Sequence, residues 1–105
     1  MKTIGIDLGT TTVGVVVMDT EKKEVLASKT IPNGSYMDTF HEWERIQDVP
    51  LLMSRARAVL DELLDQNKDV AAIGLTGQQH GIVYLDREGN CISPLYTWED
   101  GRGAQ

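Results

Sequence analysis

The sequence predicts an α/β domain on a mixed sheet: an antiparallel meander of three strands, then a crossover helix and a strand parallel to the first. Three observations predict it. Apolar residues alternate or run continuously in three short stretches between Thr3 and Ile31, as in strands. They then recur at three- and four-residue spacings between Val49 and Leu64, as on one face of a helix. A further apolar run, Val70 to Leu75, is reached through that helix, and a strand reached by a helical crossover pairs parallel.

Each element has its own signal. Thr3-Ile-Gly-Ile-Asp-Leu8 alternates apolar with small or polar residues, so it reads as a half-buried strand with Asp7 at its carboxyl end. Val13 to Met18 is almost continuously apolar and is expected at the centre of the sheet, covered on both faces. Asp19 to Lys23 is short and polar enough for a hairpin connection, after which Glu24 to Ile31 resumes as a more polar third strand. Pro32-Asn-Gly-Ser35 punctuates the chain, and no period is evident from there to Gln47. Asp48 can cap a helix that tolerates Pro50 in its first turn and ends near Asn67. Its predicted inner face is Val49, Leu52, Met53, Ala56, Leu60, Leu63 and Leu64, and its charged residues form a solvated face. Val70 to Thr76 is expected as a second buried strand ending beside Asp7. Ile82–Leu85 and Cys91–Leu95 flank a turn at Gly89-Asn90.

The whole chain sets further bounds. At 105 residues it is one domain at most. A net charge of −6 argues against nucleic acid or an anionic membrane as partner, because long-range attraction would have the wrong sign. The single Cys91 allows no internal disulfide and reads as an ordinary strand residue, consistent with a reducing, cytoplasmic setting. Asp7 interrupts the first apolar run before it could form a signal-peptide core, and no segment is long enough to span a bilayer. The closing Gly101 to Gln105 carries no terminal element and reads as an interrupted chain. One helix cannot shield both apolar strands, so self-association is expected.

Two constellations carry chemistry. In Ile6-Asp-Leu-Gly-Thr-Thr-Thr12 a carboxylate ends a strand against a glycine-threonine turn. Gly9 lets the backbone approach a ligand, and N–H groups from Gly9 to Thr12 can form an anion-binding nest to which Thr10, Thr11 and Thr12 add hydroxyl donors. Asp7 would offer an oxygen to Mg²⁺, directly or through its waters. Asp, Gly and Thr are also ordinary hairpin-turn residues. Gly9 and Gly14 have the outer spacing of a P-loop, but Val15-Val16 stand where Lys-Ser/Thr is required, and no dinucleotide fingerprint follows a strand. The second constellation, Gly77-Gln-Gln-His-Gly81, presents amides and an imidazole that both donate and accept, which suits a polyol, though such a loop taken alone is more often plain solvated surface. Trp98-Glu-Asp-Gly-Arg102 adds an aromatic wall, carboxylates and a forked cation.

Together these segments resemble the N-terminal part of the FGGY carbohydrate kinases, the family of xylulokinase, gluconokinase, glycerol kinase and sedoheptulokinase. Gly5 to Thr12 looks like the family's first phosphate motif, and Gln47-Asp48 like the Gln-Asp that opens its helix. Leu75 to Gly81 looks like its sugar-contact loop, and Thr97 to Arg102 like its Trp-x-Asp-x-Arg segment. Gln79 stands where xylulokinases usually have Met, and the pairing of motifs leans toward a sedoheptulokinase-like branch. The resemblance implies a ribonuclease-H-like, actin-like ATPase fold, with residues 1–105 as an incomplete N-terminal domain. It would hold a phosphate turn at 6–14, a helix at about 48–66 and a sugar loop at 77–81. It further implies ATP and Mg²⁺ as cofactors and transfer of the γ-phosphoryl group to a sugar hydroxyl. Asp7 would act near the metal and Gly9, Thr10, Thr11 and Thr12 at the phosphoryl group, while Gln79, His80, Trp98 and Asp100 would face the sugar. The family's catalytic Asp and adenosine site are expected beyond residue 105, so the isolated chain is expected to be inactive. Gly14 departs from the Lys or Arg that many members carry, so this position brings no cationic side chain to the phosphate site. The alternatives are another actin-like ATPase, which needs no loop like 77–81, and a non-catalytic sugar-binding or interaction module.

Overall fold

The computed structural model describes residues 1–105. Lys2–Leu8 forms β1, Thr12–Asp19 β2 and Glu24–Pro32 β3, the expected antiparallel meander. The β2–β3 connection is held by the Asp19 carboxylate, which accepts the N–H groups of Glu21 and Lys22 at 3.0 and 3.1 Å. A two-residue strand, β4 (Ile46–Gln47), precedes helix α1 (Val49–Gln66). β5 (Val70–Gly77) then returns parallel to β1, giving a sheet in the order β3-β2-β1-β5. β6 (Leu95–Tyr96) pairs antiparallel with β4 in a separate two-stranded sheet. Between β5 and β6 the chain turns at Gly89, which adopts φ +85°, and Leu85 bridges Cys91.

The ends of α1 follow from its capping residues. Asp48 accepts the Leu51 N–H at 3.0 Å, satisfying one of the free donors of the first turn. At the other end the Asn67 N–H reaches Leu64 O, and its side chain donates to Leu63 O at 2.9 Å. The buried face is Leu52, Ala56, Val59 and Leu63, a spacing of four, three and four. Val59 therefore takes a core position that the sequence reading did not assign, while Met53 is exposed.

Ile4, Ile6, Val15 and Val17 from the sheet meet Val59 and Leu63, and Val13 meets Leu52 and Ala56. All of this lies on one face of the sheet. Two expectations are corrected by that arrangement. β2 is covered on one face only, because one 18-residue helix cannot wrap to the other. β5 is an edge strand with its interior residues exposed, Leu75 at 70%, rather than a buried one. The uncovered face is a shallow trough of ≈ 430 Å³ floored by Gly5, Gly14, Ser28, Thr30, Gly74 and Thr76. No helix is long and apolar enough to cross a membrane.

Candidate functional site

The parallel pairing of β1 and β5 decides the geometry. Asp7 lies opposite Thr76 and Leu8 opposite Gly77, so the two segments leave the sheet side by side. The Gln78 N–H continues the pairing to Leu8 O at 2.8 Å. Asp7, Gly9, Thr10, Gln78, Gln79, His80 and Trp98 consequently border one cleft of ≈ 340 Å³. Trp98 comes from far along the chain. Pairing of β4 with β6 sets Tyr96 against Ile46 and brings the following residues to the cleft. There the indole N–H donates to Thr10 Oγ1 at 3.1 Å, while the ring remains 60% exposed.

Gly9 is required by close approach, since a Cβ there would stand 2.7 Å from Thr12 O. The Thr10 hydroxyl differs from its expected role: its proton goes to Gln78 Oε1 at 3.2 Å and its oxygen accepts from Trp98, so it organises the site and offers no spare donor. Thr11 and Thr12 are exposed, and the N–H groups of Thr10 and Thr11 have no partner within the chain. Asp7 is exposed at the cleft edge.

On the other wall, Gln78 and Gln79 separate by function. Gln78 is half-buried and bonded to Thr10 and Gln47, whereas Gln79 and His80 are exposed to the cleft. His80 adopts φ +60°, a left-handed conformation uncommon outside glycine. Gly81 follows, packed where a Cβ would stand 3.1 Å from Tyr96 O and 2.9 Å from the end of the Leu95 side chain.

Asp100 borders a neighbouring cleft with His80, Tyr84, Tyr96 and Trp98. Both of its oxygens are engaged: Oδ2 accepts the Arg45 N–H at 2.9 Å, and Oδ1 accepts Arg102 Nε at 2.6 Å. Its side chain is 3% exposed. The Arg102 guanidinium holds its carboxyl well below the ordinary range, at about 2, with the Arg45 and Arg102 backbone N–H groups adding to the effect. Arg102 itself lies over the Tyr96 ring at 4.3 Å. The carboxylate thus braces Arg102 against the backbone at Arg45.

Beneath the cleft lies a buried polar layer made by Asn33, Ser35, Gln47 and Thr97. Asn33 Nδ2 donates to Gly9 O at 2.8 Å, and Gln47 Nε2 donates to Thr10 O at 3.0 Å. Sequence reasoning placed Gln47 only at the entry to the helix and gave Asn33 only a turn. The missed signal was a pair of amide side chains on either side of a stretch without period, ahead of a capped helix.

A sequence model of the N-terminal domain of the FGGY family of carbohydrate kinases matches residues 2–105. The chain is 36% identical over 104 residues to the xylulose kinase of Escherichia coli (strain K12), a match covering 97% of this chain and 21% of that protein. It is 32% identical over 102 residues to a xylulose kinase of Arthrobacter sp. (strain NRRL B3728), covering 95% of each. The crystal structure of xylulose kinase from Rhodospirillum rubrum superposes with a TM-score of 0.81 at 28% identity, covering 97% of this chain and 21% of that one. The chain thus spans 21% of the length of the Escherichia coli and Rhodospirillum rubrum proteins.

Proposed function

The chain belongs to the FGGY family of carbohydrate kinases, with the leading portion of their actin-like ATPase fold, and from that premise we propose its role. It is the N-terminal part of an ATP-dependent kinase that transfers the γ-phosphoryl group to a hydroxyl of a ketose or related polyol. The observation that carries this reading is the cleft in which Asp7 and the Gly9-Thr10 end of a turn with unpartnered N–H groups lie across from Gln79, His80 and Trp98. Xylulose, the sugar in the names of the similar proteins, is the first substrate to test.

The donor set suits magnesium with its phosphates. Mg²⁺ keeps several waters and binds through one or two carboxylates and phosphate oxygens. Asp7 supplies one exposed carboxylate, and no cluster of three His, Cys, Asp or Glu forms an all-protein cage. When bound, the ion would offset charge on the phosphates. The Thr10 and Thr11 N–H groups would bind phosphoryl oxygens, with Gly9 permitting the approach and Thr11 and Thr12 adding hydroxyls. Gln79 and His80 would orient sugar hydroxyls, and the Trp98 ring would cover the sugar and exclude water. Asp100 would serve the sugar indirectly, by fixing Arg102 and the chain at Arg45. A turn at 6–14, a helix at 48–66 and a loop at 77–81 would then make up a partial N-terminal domain in a cytoplasmic enzyme. Catalysis of this kind rests on positioning and charge stabilisation, which half of a cleft supplies poorly. The isolated chain should therefore lack turnover.

In the full-length kinase, His80→Ala is expected to weaken ketose binding by about 1–3 kcal/mol, leaving a polar partner unpaired. Asp7→Asn should lower kcat with little change in sugar affinity. Calorimetry and steady-state kinetics separate the two, and the reverse pattern would refute the roles. Clear ketose-dependent ATP turnover by residues 1–105 alone would sink the partial-kinase reading.

A further inference from the structure

Gln47 is fully buried, yet it carries an amide where a leucine or methionine would fill the space. A buried amide is tolerated only when its donors and acceptor are satisfied. Its Nε2 donates to Thr10 O at 3.0 Å, and its Oε1 accepts Gln78 Nε2 at 3.0 Å and Asn33 Nδ2 at 3.5 Å. The orientation is forced, because a backbone carbonyl accepts only and must face Nε2, which leaves Oε1 for Gln78 and Asn33. The residue itself sits on fixed ground: β4 pairs with β6 at this position, and the helix cap Asp48 follows at once.

The bonds have a geometric consequence for the turn. Every peptide here is trans, and in a trans peptide the C=O and the next N–H point in opposite directions. With Gly9 O held inward by Asn33 and Thr10 O held inward by Gln47, the N–H groups of Thr10 and Thr11 are turned outward. Gln47 holds the opposite wall as well, through Gln78, which also accepts the Thr10 hydroxyl proton.

We infer that Gln47 is a positioning residue that aims the anion-binding N–H groups of the Gly9–Thr12 turn and locks that turn to the Gln78–His80 loop. The phosphate and sugar walls then keep one spacing, and a disturbance of either is felt by the other. This rests on the roles given above to the turn and the loop, but the linkage itself can be tested without turnover.

The test uses the 105-residue chain, labelled with ¹⁵N, and compares it with Gln47→Met. Amide resonances of residues 9–12 and 78–80 should both move or broaden, while those of the β2–β3 hairpin stay in place. A purely structural role would lower the thermal midpoint without selecting these two segments, and unchanged resonances in either segment would overturn the proposal. Should Gln47→Met fail to fold, Gln78→Met cuts one arm at a half-buried position. The Gln47 side-chain NH₂ resonances, which report the bond to Thr10 O, must then shift, and their constancy would overturn the linkage.

Inorganic pyrophosphate supplies the second readout. Wild-type chain should respond at the Thr10 and Thr11 amides, with affinity falling about tenfold or more in Gln47→Met. An equal affinity in the two proteins would refute the aiming role. A wild-type chain that gives no response counts against the phosphate reading of the turn, while the ligand-free spectra still decide the linkage.

Discussion

At the scale of single residues, function in this chain depends on which polar groups are spent and which are left over. Thr10 and Gln78 use their side chains on each other and on Gln47 and Trp98, so the groups left over are Asp7, Gln79 and His80 at the cleft and the Thr10 and Thr11 N–H groups of the turn. Asp100 is the sharpest case, because its carboxylate is spent on Arg102 and Arg45. Its pKa is depressed from 3.8 to about 2. A depressed carboxylate contributes stability that is fully present above its unfolded value and is lost as pH falls through the folded value. Wild type should therefore be more stable than Asp100→Asn at neutral pH, and the difference should shrink between pH 3.8 and about 2. Urea denaturation midpoints across that range check it. A pH-independent difference would mean that the charge of Asp100 does not matter. The residue types of both motifs were legible in the sequence, yet their division into spent and free groups was not, since it depends on partners 31 to 88 positions away.

At the scale of elements, α1 tests the packing argument. Leu63 is buried against the sheet, whereas Met53 is exposed although the sequence period put both inside. Leu63→Ala should cost about 2–5 kcal/mol through lost burial and the cavity left behind. Met53→Ala should stay within about 0.5 kcal/mol. Thermal or chemical unfolding of the two variants checks the contrast, and equal losses would place the helix face wrongly. The three- and four-residue period identified the helix and Asp48 its cap, but a stripe that took in Met53 and left out Val59 cannot be re-centred without the curvature of the surface it meets. β4 escaped the sequence for a different reason. Two residues carry no period, and their strand character comes entirely from pairing with β6.

At the scale of the whole molecule, the sheet carries α1 on one face and an uncovered trough on the other, with β5 open at the edge. Exposed strand edges and apolar patches favour pairing with another chain. The isolated 105-residue chain is expected to self-associate. Leu75→Lys on β5 should reduce that association, because an edge lysine disfavours strand pairing. Sedimentation velocity across a concentration series reads both, and a clean monomer at high concentration would contradict the expectation. The sequence by itself determined the order of the three meander strands, α1 and β5, the capping of α1, the two polar motifs and the family to which the chain belongs. Each of these is written in local periods, in residue types with a fixed conformational meaning, or in short motifs in a fixed order. Only the tertiary structure decided that α1 covers one face of this sheet, that Leu75 is exposed among these residues, and that Asn33 and Gln47 bond to Gly9 O and Thr10 O while Asp100 bonds to Arg45 and Arg102. Those outcomes depend on which distant surfaces and donors meet, and a chain read one neighbourhood at a time does not contain that information.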